Sequence, residues 1–472
     1  MSVQTDRAET RGGPTPLDPA LLRLGGVLSL AAVLAGLDAT VVSVGIDAVA
    51  HDLGGPLSDL QWVSTGYLLA ISIVMPLSGW ASERFGAKAM WLTSVALFVA
   101  GSVLCGFAWS VPALISFRVV QGIGGGMMQP IGQSILAQAA GPDQLARIVG
   151  VLVMPVLFAP VIGPVLGGVI VQGLDWRWMF FVNVPIGLLT LLIALRVVPK
   201  DRSGPRGQAR LDRLGLGLLS PGLAAVVFGL SAIGEHGAGS PFAIVPLASS
   251  VLLLCGYVVH ALSTKETPLI DVRLFARRRF TAATTNSFLL GATLYGSMLI
   301  LPLYFQQVEH KGAIEAGFSL APQALGAAAI SYFAGRLTTR IGPRAVILVG
   351  IGLSLAGTLP LVGLGSGLPR WVMLVALAVR GVGIGATMAP GMAAVYGSVE
   401  RHQVPRAASA LNVMNRIGGS IGTAALALIL QAELDQQPSN PAVAYGHTFA
   451  WALALSVLPL LPALAFPGRN QK

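Results

Sequence analysis

Charge is what this chain is short of. Of its 472 residues only 11 % are Asp, Glu, Lys or Arg, while 54 % are hydrophobic. A soluble globular chain carries roughly 25 % charged residues. So few charges cannot keep the surface of a body this size wet, which excludes a soluble globular protein and leaves apolar side chains to face lipid. Cysteine is scarce as well. Cys105 and Cys255 both sit inside apolar runs, which excludes a disulfide framework and a cysteine metal site. The six histidines, at 51, 236, 260, 310, 402 and 447, form no His-x3-His pair and accompany no paired acids. A metal centre or a hydrolase constellation, and with it an enzyme, is therefore not expected. The glycine run at 122–126 has no strand before it and no Lys-Ser/Thr after it, so it is not a phosphate loop and serves close helix approach instead. With no nucleotide site and no cofactor motif, an ion gradient is the expected source of energy. The net charge of +10 would point to nucleic acid in a soluble chain. Here it reads as arginines that anchor loops, and nucleic acid is not an expected partner.

What is present is a succession of long apolar runs. They fall at 21–45, 59–81, 88–107, 111–138, 146–171, 178–198, 213–232, 242–263, 280–307, 316–337, 343–363, 370–398, 405–431 and 446–466, each near the roughly 20 residues a spanning helix needs. The fold expected is all-α and membrane-integral, with about fourteen spans. The first run lacks a small-residue cleavage site, so it reads as a retained span rather than a removed signal. With the N-terminus inside, twenty-four of the thirty basic residues fall on the cytoplasmic side. Three (Arg177, Lys311, Arg370) fall outside and three (Arg118, Arg380, Arg416) within spans. That bias predicts a multi-pass protein of the cytoplasmic membrane with both termini inside. The loops 199–212 and 264–279 are the most basic and read as topology anchors against anionic headgroups.

Two motifs recur at nearly one offset. GWASERFGAK at 79–88 and GRLTTRIGPR at 335–344 both read G-x4-R-x-G-x-[KR], 256 residues apart; the Gly- and Pro-containing stretches at 122–130 and 382–390 lie 260 apart. Spans 1–6 are therefore echoed in spans 9–14, with two spans inserted between. The expected organisation is a cytoplasmic tail (1–20), an N-terminal six-helix bundle (21–198), two inserted helices with basic flanks (199–279), a C-terminal six-helix bundle (280–466) and a cytoplasmic tail (467–472). Parallel repeats with a site between them are a transporter architecture.

These motifs resemble the major facilitator superfamily, and more narrowly its fourteen-span drug:proton antiporters of the multidrug and quaternary-ammonium exporter type, from about residue 30 to residue 465. Gly79, Glu83, Arg84, Gly86 and Lys88 match the loop between spans two and three, with Glu83 where aspartate is usual. Arg118, Gln121 and Gly122 match the arginine motif of span four. Gly163, Pro164, Gly167 and Gly168, with Pro160 before them, match the antiporter motif of span five, with Ala159 in place of its first glycine. Leu37-Asp38 and Thr40 match the first-helix motif of the subgroup, and Trp176 through Asn183, Pro185 and Gly187 its sixth span. In the first helix Ser43 and Ile46-Asp47 replace the usual asparagine and Leu-Pro pair.

The resemblance implies proton-coupled antiport that exports lipophilic small molecules (drugs, antibiotics, toxic compounds) by alternating access, and so antibiotic resistance. The partners implied are protons, a small-molecule substrate and the lipid bilayer, for a chain acting as a monomer. Export of a lipid or an endogenous biosynthetic product in the same fold, or metabolite symport with protons, are the alternatives; the antiporter motif disfavours the last. By resemblance, residues 79–88 form a latch that closes the inner side in the outward-facing state, and the Pro- and Gly-rich span five bends between the bundles.

An ionisable residue inside a span is costly and therefore a functional candidate. Asp38 lies 17 residues into span one, about 25 Å up at 1.5 Å per residue. Arg118 lies roughly 10 Å below the outer surface in span four. The two fall at similar depth, so a pair or a shared network is expected, with Asp38 as the proton carrier and Arg118 as its partner. Asp47, half a turn out of phase with Asp38, has two readings: an acid at a wet helix end, or a second coupling site. Arg380 and Arg416 lack an acid in spans 9–14 to pair with, so structural pairing and substrate contact both stand open. Gln121, Gln129, Gln133, Asn286, Tyr295, Tyr304, Gln323, Asn412 and Asn415 are the polar candidates for the cavity wall, with Met127, Met128, Phe158 and Trp62 as its adaptable apolar part.

Overall fold

The computed structural model describes residues 17–54, 57–140, 142–201 and 210–466. The N-terminal tail up to residue 16, the tail at 467–472 and residues 202–209 of the first basic loop lie outside the described residues. Among those described, regular structure is helical throughout, without a strand.

The N-terminal half opens with α1 (Pro19–Val44), started by Asp18, whose carboxylate accepts the Ala20 N–H, and by proline in the first turn. At Gly45 the chain breaks into the short α2 (Ile46–Leu53). Span two is two pieces, α3 (Leu57–Val74) and α4 (Leu77–Phe85), bent by 56° where Pro76 removes a backbone donor. α5 (Ala87–Gly106) and α6 (Val111–Ala139) follow; Ser110 caps α6 through the Ala113 N–H. Span five is interrupted between α7 (Pro142–Val156) and α8 (Ala159–Gly173), at the predicted proline-rich bend. The half closes with α9 (Trp178–Phe181) and α10 (Asn183–Val197).

The inserted pair is α11 (Arg213–His236) and α12 (Pro241–Ser263). The C-terminal half comprises α13 (Arg278–Gln307), α14 (Ala313–Ser319), α15 (Ala321–Ile341), α16 (Pro343–Thr358), α17 (Arg370–Gly397), α18 (Val404–Gln436), α19 (Pro441–Val457) and α20 (Leu460–Ala463). A 3-10 stretch, Leu359–Ser366, prolongs α16.

Twelve described helices are long and apolar enough to cross a membrane, or thirteen if the bent α3–α4 pair is one span. The fourteenth predicted place is filled by α15, which does not pass that test. Its sequence is rich in Ala, Gly, Ser and Thr and carries Arg336 and Arg340. The physical reason is its position. α15 packs along α7 and α17, so its small residues meet protein where a lipid-facing helix would need bulk.

The halves meet most fully at the end that carries the basic loops. There α7 packs along α15 and α17, and α18 packs along α4 and α6. Toward the opposite end, extended packing between the halves is confined, among the described residues, to α8 against α14 and the start of α15. The repeat seen in the sequence governs this seal. Gly79 lies against the Arg406 backbone, and its repeat equivalent Gly335 lies against the Arg147 backbone. Each glycine lets an arginine-bearing helix of the other bundle approach closely: a Cβ at Gly335 would collide with the Arg147 backbone, and one at Gly79 would press tightly on Arg406.

α11 packs against both α3 and α18, across the seam between the halves. It also serves the bend in span two. The Ser220 hydroxyl donates to the Ile73 carbonyl at 2.6 Å, and the Ser409 hydroxyl of α18 donates to the Met75 carbonyl at 3.0 Å. The bend is thus a node where the inserted pair and the C-terminal half both bond the N-terminal half.

Candidate functional site

Asp38 and Arg118 meet, as the depth arithmetic expects. One guanidinium nitrogen lies 2.5 Å from Asp38 Oδ2, and both side chains are buried, at 0 % and 1 % exposure. Either ion alone would be costly there, because a bare charge in a low-dielectric interior costs several kcal/mol. The surrounding helices supply the rest of the solvation. Gln121, one turn along α6 from Arg118, accepts from it at 2.8 Å and donates to Asp38 Oδ1 at 2.8 Å. Asn183, the first residue of α10, also donates to Oδ1, at 2.9 Å. The hydroxyl of Ser102 on α5 accepts from both amides. Arg118 Nε donates to the Val63 carbonyl, and its guanidinium stacks 4.0 Å over the Tyr67 ring. Five spans therefore converge on the Asp38–Arg118 pair. Asn183 and Ser102 complete this shell; neither stands out in sequence beyond being polar in an apolar run.

The basic end is closed by charge and by amides. Glu83 on α4 pairs with Arg406 on α18 through two hydrogen bonds of 2.9 and 2.7 Å. Arg406 donates a third to the Pro268 carbonyl, in the loop that leaves the inserted pair. Deeper in, Gln133 on α6 accepts from Asn412 on α18 at 2.7 Å and from the Tyr396 hydroxyl at 3.0 Å. Beyond this level Gln129, one turn along α6, is exposed.

The C-terminal half holds two cations at helix centres. Arg380 is buried, donates to Gln323 at 2.6 Å, and leaves its Nε without a partner. Arg416 is half-buried and makes no hydrogen bond or ion pair among the described residues.

A family model described as "Major Facilitator Superfamily" matches residues 28–423. The chain belongs to the major facilitator superfamily. It is similar to a multidrug resistance protein B homolog of Mycobacterium tuberculosis, with 40 % identity over 90 % of this chain and 79 % of that one. It is also similar to a tetracenomycin C resistance and export protein of Streptomyces glaucescens, with 29 % identity over 99 % of this chain and 87 % of the relative. Among solved structures the fold is shared with a superfamily proton:xylose symporter, at a TM-score of 0.66 and 14 % identity, covering 95 % of this chain and 96 % of that one.

Against this superfamily fold, several expected positions are corrected. Gln121 is not a cavity residue; it is fully buried in the Asp38 shell. Asp47, placed by the break at Gly45 in the first turn of α2, is exposed, which accords with the reading of an acid at a wet helix end. Tyr304 is packed between Phe305 and Tyr445 rather than lining a cavity. Asn286 is buried with both amide atoms unpartnered, beside Gly391. Tyr295 packs on Gly419, and Asn415 bonds the Ser287 carbonyl, both within the C-terminal half. Trp62 stacks on Phe228 of the inserted α11.

Of the expected latch, only Glu83 crosses between the halves with a charge, and Gly79 supplies the close approach. Lys88 bonds the Leu195 and Val198 carbonyls, and Gly86, at φ +93°, makes the turn between α4 and α5; both act inside the N-terminal half. Among the described residues, Arg84 makes no hydrogen bond or ion pair across the seam. Arg406, which the sequence gives no reason to single out from the other inside arginines, is the partner. In span five Gly163 packs on Thr40 and Gly167 on Val41 and Val44, while Gly168 faces Ile314 of the other half. Pro164 lies beside Gly317, and Pro160 stands in the first turn of α8.

Outside the spans, Asp52 at the end of α2 receives the Trp176 indole at 3.0 Å and Arg177 at 2.9 Å. The indole hydrogen bond first, and Arg177 second, hold its carboxyl below its ordinary value of 3.8.

Proposed function

We propose that this protein is a proton-coupled antiporter that exports lipophilic small molecules, drugs and antibiotics among them, across the cytoplasmic membrane by alternating access. The observation that carries the reading is the single mid-helix carboxylate, Asp38, held at membrane depth by Arg118 and two amides. The names of the relatives support drug export, and the Pro- and Gly-rich span five supports exchange. The positive-inside bias supports both termini and the basic end facing the cytoplasm. On that orientation the arrangement described is closed inward.

The chemistry follows from the pair. While Asp38 is ionised, Arg118, Gln121 and Asn183 satisfy it and the shell stays compact. Protonation removes the charge that Arg118 neutralises, and the guanidinium is left buried without a counter-ion. The shell then loosens until the proton leaves again. Proton binding and the packing of five spans are thus one event, and that linkage is what exchange requires. No cofactor enters the cycle, and a single chain contains the whole of it.

The test is transport by the purified protein in liposomes under an imposed pH gradient. A panel of dyes and antibiotics should move only with the gradient, and adding substrate should release protons. In Asp38→Asn, gradient-driven flux should vanish while substrate–substrate exchange survives. Undiminished driven flux in that variant would overturn the assignment of Asp38.

A further inference from the structure

The face of α18 turned to the N-terminal half can be followed residue by residue. Arg406 bonds Glu83, Ser409 bonds Met75, and Asn412 bonds Gln133. The spacing of three and three continues with four to Arg416, one turn further along the same face. Arg416 is therefore the first residue beyond the amide seal. It is half-buried, with no hydrogen-bond acceptor and no carboxylate among the described residues. On the facing helix Gln129 stands one turn beyond Gln133 and is exposed. The Tyr67 hydroxyl, beside Gly125, is buried without a partner.

Charge at this level is one-sided. Asp38 is the only acid in the middle of any described spanning helix, and Arg118 and two amides already neutralise and solvate it. Arg380 adds a second positive charge, met only by a neutral amide. A guanidinium partly removed from water with no acceptor is a site short of its counter-ion, and a planar carboxylate is the group its donor fork fits best. A cationic substrate would meet repulsion at the same place.

We propose that Arg416 is an anion site at the floor of the central cleft, with Gln129 beside it, and that the preferred substrates pair a lipophilic body with a carboxylate. The proposal deepens the exporter reading and rests on it for the word substrate; the anion site itself does not.

The test uses rhodamine 110, a free carboxylic acid, and rhodamine 123, its methyl ester, with the full chain. In detergent, fluorescence anisotropy should show the acid binding about tenfold tighter than the ester, the range for a charge-assisted pair. Arg416→Gln should abolish the preference, weakening the acid about tenfold while the cationic ester, freed of repulsion, binds no more weakly than before, which also reports an intact cleft. Arg416→Lys should keep part of the preference. Equal binding of the two dyes by the unaltered protein, or an unchanged acid-to-ester ratio in Arg416→Gln, overturns the anion site. The comparison in the unaltered protein stands by itself should that variant misfold. In liposomes, gradient-driven movement of dyes without any acid preference removes the anion site and keeps the exporter. Acid preference in binding with no gradient-driven movement of any dye keeps the site and removes the exporter.

Discussion

Asp38 and Arg118 are each tolerable only because the other is there. Removing one partner of a buried pair strands the other, at a cost of about 3–5 kcal/mol. Arg118→Gln should therefore lower thermal stability in detergent sharply. Asp38→Asn with Arg118→Gln should recover much of the loss, because two neutral amides can bond each other and Gln121. A double-mutant cycle on the melting temperatures checks this, and additive losses would count against a coupled pair. Asp52 makes a different prediction, tied to pH. Its carboxyl is depressed below 3.8 by Trp176 and Arg177. A group depressed in the folded state adds stability that is fully present above its unfolded value and lost as pH falls through the folded one. Acidification below about pH 4 should thus reveal this contribution, and Asp52→Asn should flatten the acid limb of the melting profile. The carboxylate is half-exposed, so the effect should be modest and should shrink in high salt.

At the scale of elements, the seal at the basic end depends on helices approaching closely and then being pinned. Gly79 and Gly335 allow the approach, and Glu83–Arg406 supplies the pin on one side of the seam. Glu83→Gln keeps the shape and removes the charge, so the basic end should open more often. Spin labels on α4 and α18 should then show a longer distance population than in the unaltered protein. Gly335→Val should open the same end from the other side, by driving a side chain into the Arg147 backbone. An unchanged distance distribution in both variants would show that closure is held elsewhere. The inserted helices belong in the same account. Ser220 bonds a carbonyl at the bend of span two, and the Pro268 carbonyl accepts from Arg406. The pair is a strap across the seam as well as a lipid-facing addition.

For the whole molecule, the two halves are closed at one end, and at the other their extended packing is confined, among the described residues, to α8 against α14 and α15. Gln129→Cys, in the Cys105- and Cys255-free protein, should therefore react with a membrane-impermeant maleimide added from the side opposite the basic loops. It should not react from the basic side. Reaction from the basic side alone would reverse the orientation of the cleft.

Much of this was legible in the residues themselves. Membrane residence follows from a composition too poor in charge to be wetted, and the proposed orientation rests on the placement of the arginines. The proposal of a duplicated architecture rests on two motif echoes at nearly one offset. Asp38 and Arg118 announce themselves, because charge inside a span is too costly to be incidental. The sequence could not say who would solvate them. Asn183 and Ser102 are polar groups like many others in these spans, and only the convergence of α1, α5, α6 and α10 turns them into a shell. Nor could it pick Arg406 from the other inside arginines, or place Gln121 inside the shell and Asp47 outside it. It also could not foresee that α15 buys its place with small residues against protein rather than apolar ones against lipid. Composition and periodicity report what each segment must do with water and lipid, which is a local matter. Which helix faces which is set by packing across hundreds of residues, and the pairing of charges, the seal and the free Arg416 are decided there.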